Sequence, residues 1–166
     1  MSQLVHHESK KKDSQLRVEA AATTAAPPET VWALVSDVTR YPEWGPWQAT
    51  GYRQPGTDSP RGPGAVQWLR SAARTYGRRT LSVERILVAD PGERLAYEVI
   101  GGIPVRHYRA EVTLTPVAGG TRIEWAARWD ATPIGRLVWR KLRVFYPEVV
   151  AALAAAADRQ ATASTP

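Results

Sequence analysis

Residues 105–130, VRHYRAEVTLTPVAGGTRIEWAARWD, decide the fold. Tyr108, Ala110, Val112 and Leu114 alternate with Arg109, Glu111, Thr113 and Thr115. After Gly119-Gly120 the alternation resumes, with Ile123, Trp125, Ala127 and Trp129 opposing Arg122, Glu124, Ala126 and Arg128. A period of two is that of a strand, and the glycine pair supplies the tight connection of an antiparallel hairpin. One face of the hairpin is polar and the other apolar, so the sheet is covered on one side only.

The cover follows directly. Ile134, Val138, Leu142, Phe145, Val149, Ala152 and Ala156 recur at three- and four-residue steps over residues 133–158, which predicts one long amphipathic helix. Pro147 lies inside it and predicts a kink near Tyr146. Upstream, residues 49–54, 65–71, 78–89 and 94–100 read as strands punctuated by Asp90-Pro91-Gly92 and Gly101-Gly102. Residues 16–24 form a first strand. Pro27-Pro28-Glu29 opens a short helix with Val31, Leu34 and Val35 on its apolar face, and Asp37 caps a second that ends at the Pro/Gly cluster 42–46. The expected fold is therefore α+β: a curved antiparallel sheet of about six to seven strands wrapped around a long C-terminal helix, with two short helices after the first strand. A single helix across a concave sheet predicts a cavity between the two, suited to an apolar ligand with a few fixed polar groups.

Composition narrows the function. The length of 166 residues suits one domain. Residues 1–15 are polar and are expected to form a disordered arm rather than a secretory signal, and residues 159–166 a flexible tail. No stretch approaches the ~20 apolar residues of a membrane span. The chain has no cysteine, which removes disulfides and thiolate chemistry, and a cytoplasmic monomer or homodimer is the expectation. The net charge of +6 owes half its excess to Lys10, Lys11 and Lys12, so the folded part is only mildly basic and nucleic acid is not the expected partner. Arg136, Arg140 and Arg143 do share a helical face, which leaves a protein- or RNA-binding module as a minor reading.

Seven tryptophans and six tyrosines stand against one phenylalanine. Trp68, Trp125 and Trp129, with Tyr97 and Tyr108, fall by strand parity on the covered face and are read as cavity lining, the alternative being ordinary core filling. In the turn at 41–47, Trp44 is assigned to plugging one end of the sheet and Trp47 to the cavity mouth. Arg70 shares the parity of Val66 and Trp68, and Arg79 and Arg85 that of Leu81, Val83 and Leu87. Arg70 and Arg79 are candidate inward anchors for a carboxylate or enolate. Alternatively these arginines reach water at strand ends or pair with Glu84, Glu98 or Glu111. Tyr97 and Tyr108 are candidate donors to a ligand carbonyl, or core tyrosines with hydroxyls at the rim. His107 faces solvent if its strand is regular. No G-x-S-x-G, G-x-G-x-x-G or phosphate-loop string occurs, and no metal-ligand constellation accompanies His107.

Several strings in this order resemble the SRPBCC superfamily, the helix-grip or START-like fold, and within it the polyketide cyclase/dehydrase branch. They are Pro28-Glu29-Thr30-Val31-Trp32, Asp37-Val38 with Tyr41-Pro42-Glu43-Trp44, Gly62-Pro63-Gly64-Ala65-Val66, Glu93-Arg94-Leu95-Ala96-Tyr97, and Gly119-Gly120-Thr121-Arg122-Ile123-Glu124-Trp125. The match spans residues 16–158, read as one ligand-binding domain. The resemblance implies a ligand held between sheet and long helix, an activity needing no metal or redox cofactor, and no transferable catalytic motif. Fold does not fix function. The expected function is cyclisation or dehydration of a polyketide-like substrate, with Tyr97, Tyr108 and an inward Arg70 or Arg79 acting on carbonyl oxygens. The alternative is a non-catalytic carrier or sensor of a hydrophobic ligand.

Overall fold

The computed structural model describes residues 14–75 and 78–164, with side chains for all of these except 73–75 and 78. Strand β1 (Gln15–Thr24) leads to helix α1 (Pro28–Val35), a 3-10 turn (Val38–Arg40) and the single-turn helix α2 (Tyr41–Trp44). Strands β2 (Trp47–Gln54), β3 (Val66–Thr75), β4 (Arg78–Asp90), β5 (Arg94–Gly101), β6 (Arg109–Val117) and β7 (Gly120–Asp130) follow, and helix α3 (Pro133–Ala163) ends the chain. The seven strands form one antiparallel sheet in the order β1-β7-β6-β5-β4-β3-β2. Each sequential pair from β2 to β7 is a hairpin neighbour, and only β1 crosses to pair with β7. This is the expected α+β helix-grip architecture.

Local chemistry accounts for the elements. Pro28 sits in the first turn of α1, where its missing N–H costs nothing. The Asp37 carboxylate accepts from the Thr39 N–H and hydroxyl, closing the 3-10 turn, and pairs with Arg61 at 2.8 Å. Thr132 caps α3 by accepting from the Gly135 N–H. The expected strand start at 105 is shortened, because His107 takes a left-handed backbone (φ 54°) and regular pairing with β5 and β7 begins at Arg109. His107 is exposed, with its ring 2.8 Å from the Asp130 carboxylate.

Helix α3 runs alongside β1 in the same direction. The Trp139 indole donates to the Arg17 carbonyl near one end, and Asp158 accepts from the Thr24 hydroxyl (2.6 Å) and the Ala25 N–H (2.8 Å) near the other. The spans agree: nineteen helical residues rise about 28 Å and seven or eight strand residues about 25 Å. Replacing Asp158 by Ala removes both bonds and leaves the buried Thr24 hydroxyl without its acceptor. The expected loss is about 2 kcal/mol in chemical denaturation.

Two expectations about α3 are corrected. The helix continues five residues past position 158, to Ala163, because Ala161 still packs against the core and no breaker intervenes. Pro147 lies inside the helix, as read from the sequence, and the single apolar seam expected across it is not continuous. Beyond Pro147 the face made by Val149, Val150, Leu153, Ala156 and Ala157 is buried. Before it, Val138, Leu142 and Phe145 are only partly buried, and Ile134, expected on the seam, is 51% exposed. The expected disordered arm lies outside the described residues up to position 13, while Gln15, assigned to it, already pairs with Asp130.

Candidate active site

The concave face holds the candidate site, and its composition differs from that expected. The β6–β7 parity is confirmed: Tyr108, Ala110, Val112, Ile123, Trp125, Ala127 and Trp129 are buried beneath α3. Tyr97 joins them, paired in register with Ala110 on β6 and Ile86 on β4. On β3 and β4 the expected parity is inverted. Ala65, Gln67 and Leu69 face inward with Ser82, Glu84 and Ile86, while Val66, Trp68 and Arg70 stand opposite Arg85, Val83 and Leu81 on the outer face. Trp68 covers Gly51, where an added Cβ would lie 3.0 Å from its indole nitrogen, and the Arg70 guanidinium lies 5.8 Å from the Trp68 ring centre. Arg70 and Arg79 are exposed and do not reach the interior, and Arg85 pairs with Glu98 across the outer face. Outer apolar residues and inner polar ones reverse the usual amphipathic pattern, which is why parity misassigns both strands.

Glu84 is the residue this inversion hid. Its carboxylate is buried, accepting from the Gln67 amide at Oε2 (2.9 Å) and the Ser82 hydroxyl at Oε1 (2.9 Å). No cation pairs with it among the described residues. Burial raises its pKa from 4.5 to about 7, against the downward pull of its two donors. The one sequence signal for it was the cross-strand pair Gln67–Glu84, two polar residues in register, which signals a shared face without saying which.

The same interior holds a group of hydroxyls. The Trp125 indole donates to the Tyr97 hydroxyl (3.2 Å), the Tyr108 and Tyr146 hydroxyls are hydrogen-bonded to each other, and the Trp125 ring packs edge-on against both Tyr97 and Tyr146 (6.5 and 6.0 Å between ring centres). An indole N–H can only donate, so Tyr97 accepts there and keeps its own proton to give. Tyr146 lay outside the predicted seam because that seam was drawn through Phe145. Burial raises the pKa of Tyr41, Tyr97, Tyr108 and Tyr146 well above the usual tyrosine value, and the Glu84 charge pushes each further the same way. All four are therefore neutral donors at physiological pH.

The aromatic groups at 41–47 close one end. Trp47, the first residue of β2, packs against Tyr41 (4.9 Å between ring centres), Trp44 (5.3 Å) and, across to α3, Phe145 (6.0 Å). Its ring lies across Gly45, where a Cβ would come within 2.0 Å of it. Trp44, assigned to the plug, is buried, and its indole N–H has no hydrogen-bond partner among the described residues. Trp129 is wholly buried at the other end, stacked on Tyr108 (5.4 Å) and donating to the Gly135 carbonyl (3.0 Å). Surface depressions beside the β4–β5 turn and on the outer face of β1 and β7 lie away from this interior. Of the rings expected to line the cavity, Tyr97, Tyr108, Trp125 and Trp129 are buried in this interior, while Trp68 lies on the outer face. No cluster of three His, Cys, Asp or Glu suited to a metal occurs among the described residues.

A sheet of this order gripping one long helix, with neutral hydroxyl donors between them, matches a known family model over residues 15–163, described as polyketide cyclase / dehydrase and lipid transport. The chain belongs to that family. Among solved structures, the polyketide cyclase / dehydrase fold found here is similar to a solution NMR structure from Thermobifida fusca, at 26% identity, 86% coverage of this chain, 93% of that one and a TM-score of 0.67. It is also similar to the Zhui aromatase/cyclase from Streptomyces sp. R1128, at 19% identity, 89% and 94% coverage and a TM-score of 0.67. The di-domain aromatase/cyclase StfQ of the steffimycin biosynthetic pathway shares 13% identity at a TM-score of 0.74, with 94% of this chain and 55% of that one covered. No curated protein sequence matches the chain significantly.

Proposed function

We propose that this family member binds an apolar, oxygen-bearing, polyketide-like molecule between the sheet and α3 and promotes its cyclisation or dehydration, as a lyase-type enzyme of natural-product biosynthesis. The observation that carries the reading is the buried group of Trp125, Tyr97, Tyr146 and Tyr108: neutral donors held among apolar and aromatic side chains. A ligand carbonyl placed at Tyr97 meets a preorganised hydroxyl whose hydrogen bond strengthens as negative charge develops on the oxygen. Aromatic walls fold a flexible chain so that distant carbons meet, which by itself removes several kcal/mol of barrier. Ring closure and loss of water within one molecule are redox-neutral, so the proposed chemistry calls for no redox cofactor. Access separates Trp47 from Phe145. We place this activity in the cytoplasm, in a monomer or homodimer; among the described residues no helix is long and apolar enough to cross a membrane.

Incubation with linear poly-β-ketone thioesters tests the reading. We expect saturable quenching of tryptophan fluorescence and faster appearance of cyclised product. Tyr97→Phe is expected to bind the thioester but to slow product formation about 10²-fold. Saturable quenching with no rate increase over buffer would instead identify a carrier.

A further inference from the structure

The buried group supplies hydrogen-bond donors but nothing that takes a proton. His107 is exposed and bound to Asp130, and Arg70 and Arg79 point to solvent. Of the acidic side chains, Asp37 is occupied by Thr39 and Arg61 and Asp158 by Thr24 and Ala25, while Glu98 lies in the outer-face ion pairs with Arg85 and Arg109. Glu84 differs from all of these. It faces inward on β4 opposite Val99 on β5, and Tyr97 lies two residues further along β5 on the same face, so the carboxylate and the Tyr97 side chain are diagonal cross-strand neighbours. Each of its oxygens accepts one hydrogen bond, and among the described residues no guanidinium or ammonium pairs with it. Its charge raises the pKa of tyrosines on four segments, Tyr41 on α2, Tyr97 on β5, Tyr108 just before β6 and Tyr146 on α3.

We propose that Glu84 is the proton acceptor of this site, removing a proton from the carbon between two carbonyls of a bound β-polyketone while Tyr97 donates to the enolate oxygen. The inference rests on the interior being the ligand site. The C–H bond breaks, its electron pair becomes the enolate, and the proton passes to Glu84. The enolate carbon then attacks a ketone carbon further along the same chain. A C–C bond forms, the carbonyl electron pair becomes an alkoxide, and that alkoxide takes the proton back from Glu84. Atoms and electrons balance with no oxidant or co-reactant. Gln67 and Ser82 are positioning residues that hold the carboxylate in one orientation. The substrate class follows: a chain with a methylene between two carbonyls, whose C–H is acidic enough for a carboxylate to remove once hydrogen-bonded as an enolate. A carboxylate that is half ionised near neutrality suits both halves of the cycle.

The test separates proton removal from ring closure. The probe is the N-acetylcysteamine thioester of 3-oxooctanoic acid, which has one such methylene and forms no ring. Exchange of its C2 protons in deuterium oxide is followed by NMR, and its binding by tryptophan quenching. We expect the wild type to accelerate exchange, with a rate that rises with pH through about 7. Glu84→Gln is expected to bind the thioester equally well and to lose about 10²-fold in exchange, or to fall to the buffer rate. Glu84→Asp is expected to restore part of the exchange, which a merely structural role would not produce. Equal exchange by Glu84→Gln and wild type, with binding intact, would overturn the role of Glu84 and leave the ligand site standing. Failure of the wild type to bind the probe would overturn the site reading and this inference with it.

Discussion

Replacing Glu84 by Gln is expected to stabilise the protein by roughly 3 kcal/mol at pH 8.5 and to change little at pH 4. The carboxyl is buried and its pKa rises from 4.5 to about 7 on folding, so the folded state holds the proton more tightly than the unfolded chain. Below about pH 4.5 both states are protonated and folding carries no charge penalty. Between about 4.5 and 7 the unfolded chain ionises first, and stability falls as pH rises. Above about 7 the folded carboxyl is ionised as well, and the full cost of a buried charge without a cation is present. Glutamine keeps the shape and carries no charge: its carbonyl accepts from Gln67 and its amide donates to the Ser82 oxygen. The tyrosines whose pKa its charge raises, Tyr41, Tyr97, Tyr108 and Tyr146, stay protonated across this window and do not obscure the slope. Chemical denaturation of both proteins at pH 4, 7 and 8.5 measures the difference directly. A pH-independent difference would show that Glu84 titrates like an exposed glutamate. A variant more stable than wild type yet inactive in proton exchange is the signature of a residue kept for chemistry at the expense of stability.

Trp129→Ala is expected to be the most damaging truncation of the aromatic set, costing about 3–5 kcal/mol. The side chain has no exposure, stacks on Tyr108 and donates to the Gly135 carbonyl where β7 turns into α3. The backbone is fitted to it: a Cβ on Gly135 would lie 2.4 Å from the Asp130 carbonyl oxygen and 3.2 Å from the Trp129 ring. Removing the indole opens a void beneath the first turn of α3 and takes away the support of the Tyr108 ring. Trp129→Phe retains the stack and loses the N–H bond, so its expected cost is smaller, about 1–2 kcal/mol. Thermal and chemical denaturation check both values. Lost ligand binding with unchanged stability in Trp129→Phe would instead make Trp129 part of the ligand wall.

Half of the site was legible in the order of residues. Tyr97 and Trp125 lie on strands, and Tyr108 directly before one, whose two faces differ sharply in polarity, so counting by twos places them inward. Glu84, Gln67 and Ser82 lie on strands where both faces carry apolar side chains: Val66, Trp68 and Val83 outside, Ala65, Leu69 and Ile86 inside. Register there is decided by which hairpin partner each residue meets across β3 to β5, and by bulges at Val83/Glu84 and Ile86/Val88 that no local pattern announces. Tyr146 was missed for a different reason. Pro147 separates a loosely packed half of α3 from a buried one, so no single helical stripe runs through both.

Period, turn chemistry and capping residues were enough to specify seven strands, two short helices, one long helix and the order in which they occur, because each of these is decided within a few neighbouring residues. Which face of β3 and β4 turns inward, and hence which charged group the protein buries, was decided only when distant strands met. A polar residue inside costs free energy that its local sequence offsets only in part: Ser82 supplies one hydrogen bond from two residues away, and the other comes from Gln67, seventeen positions away on the neighbouring strand.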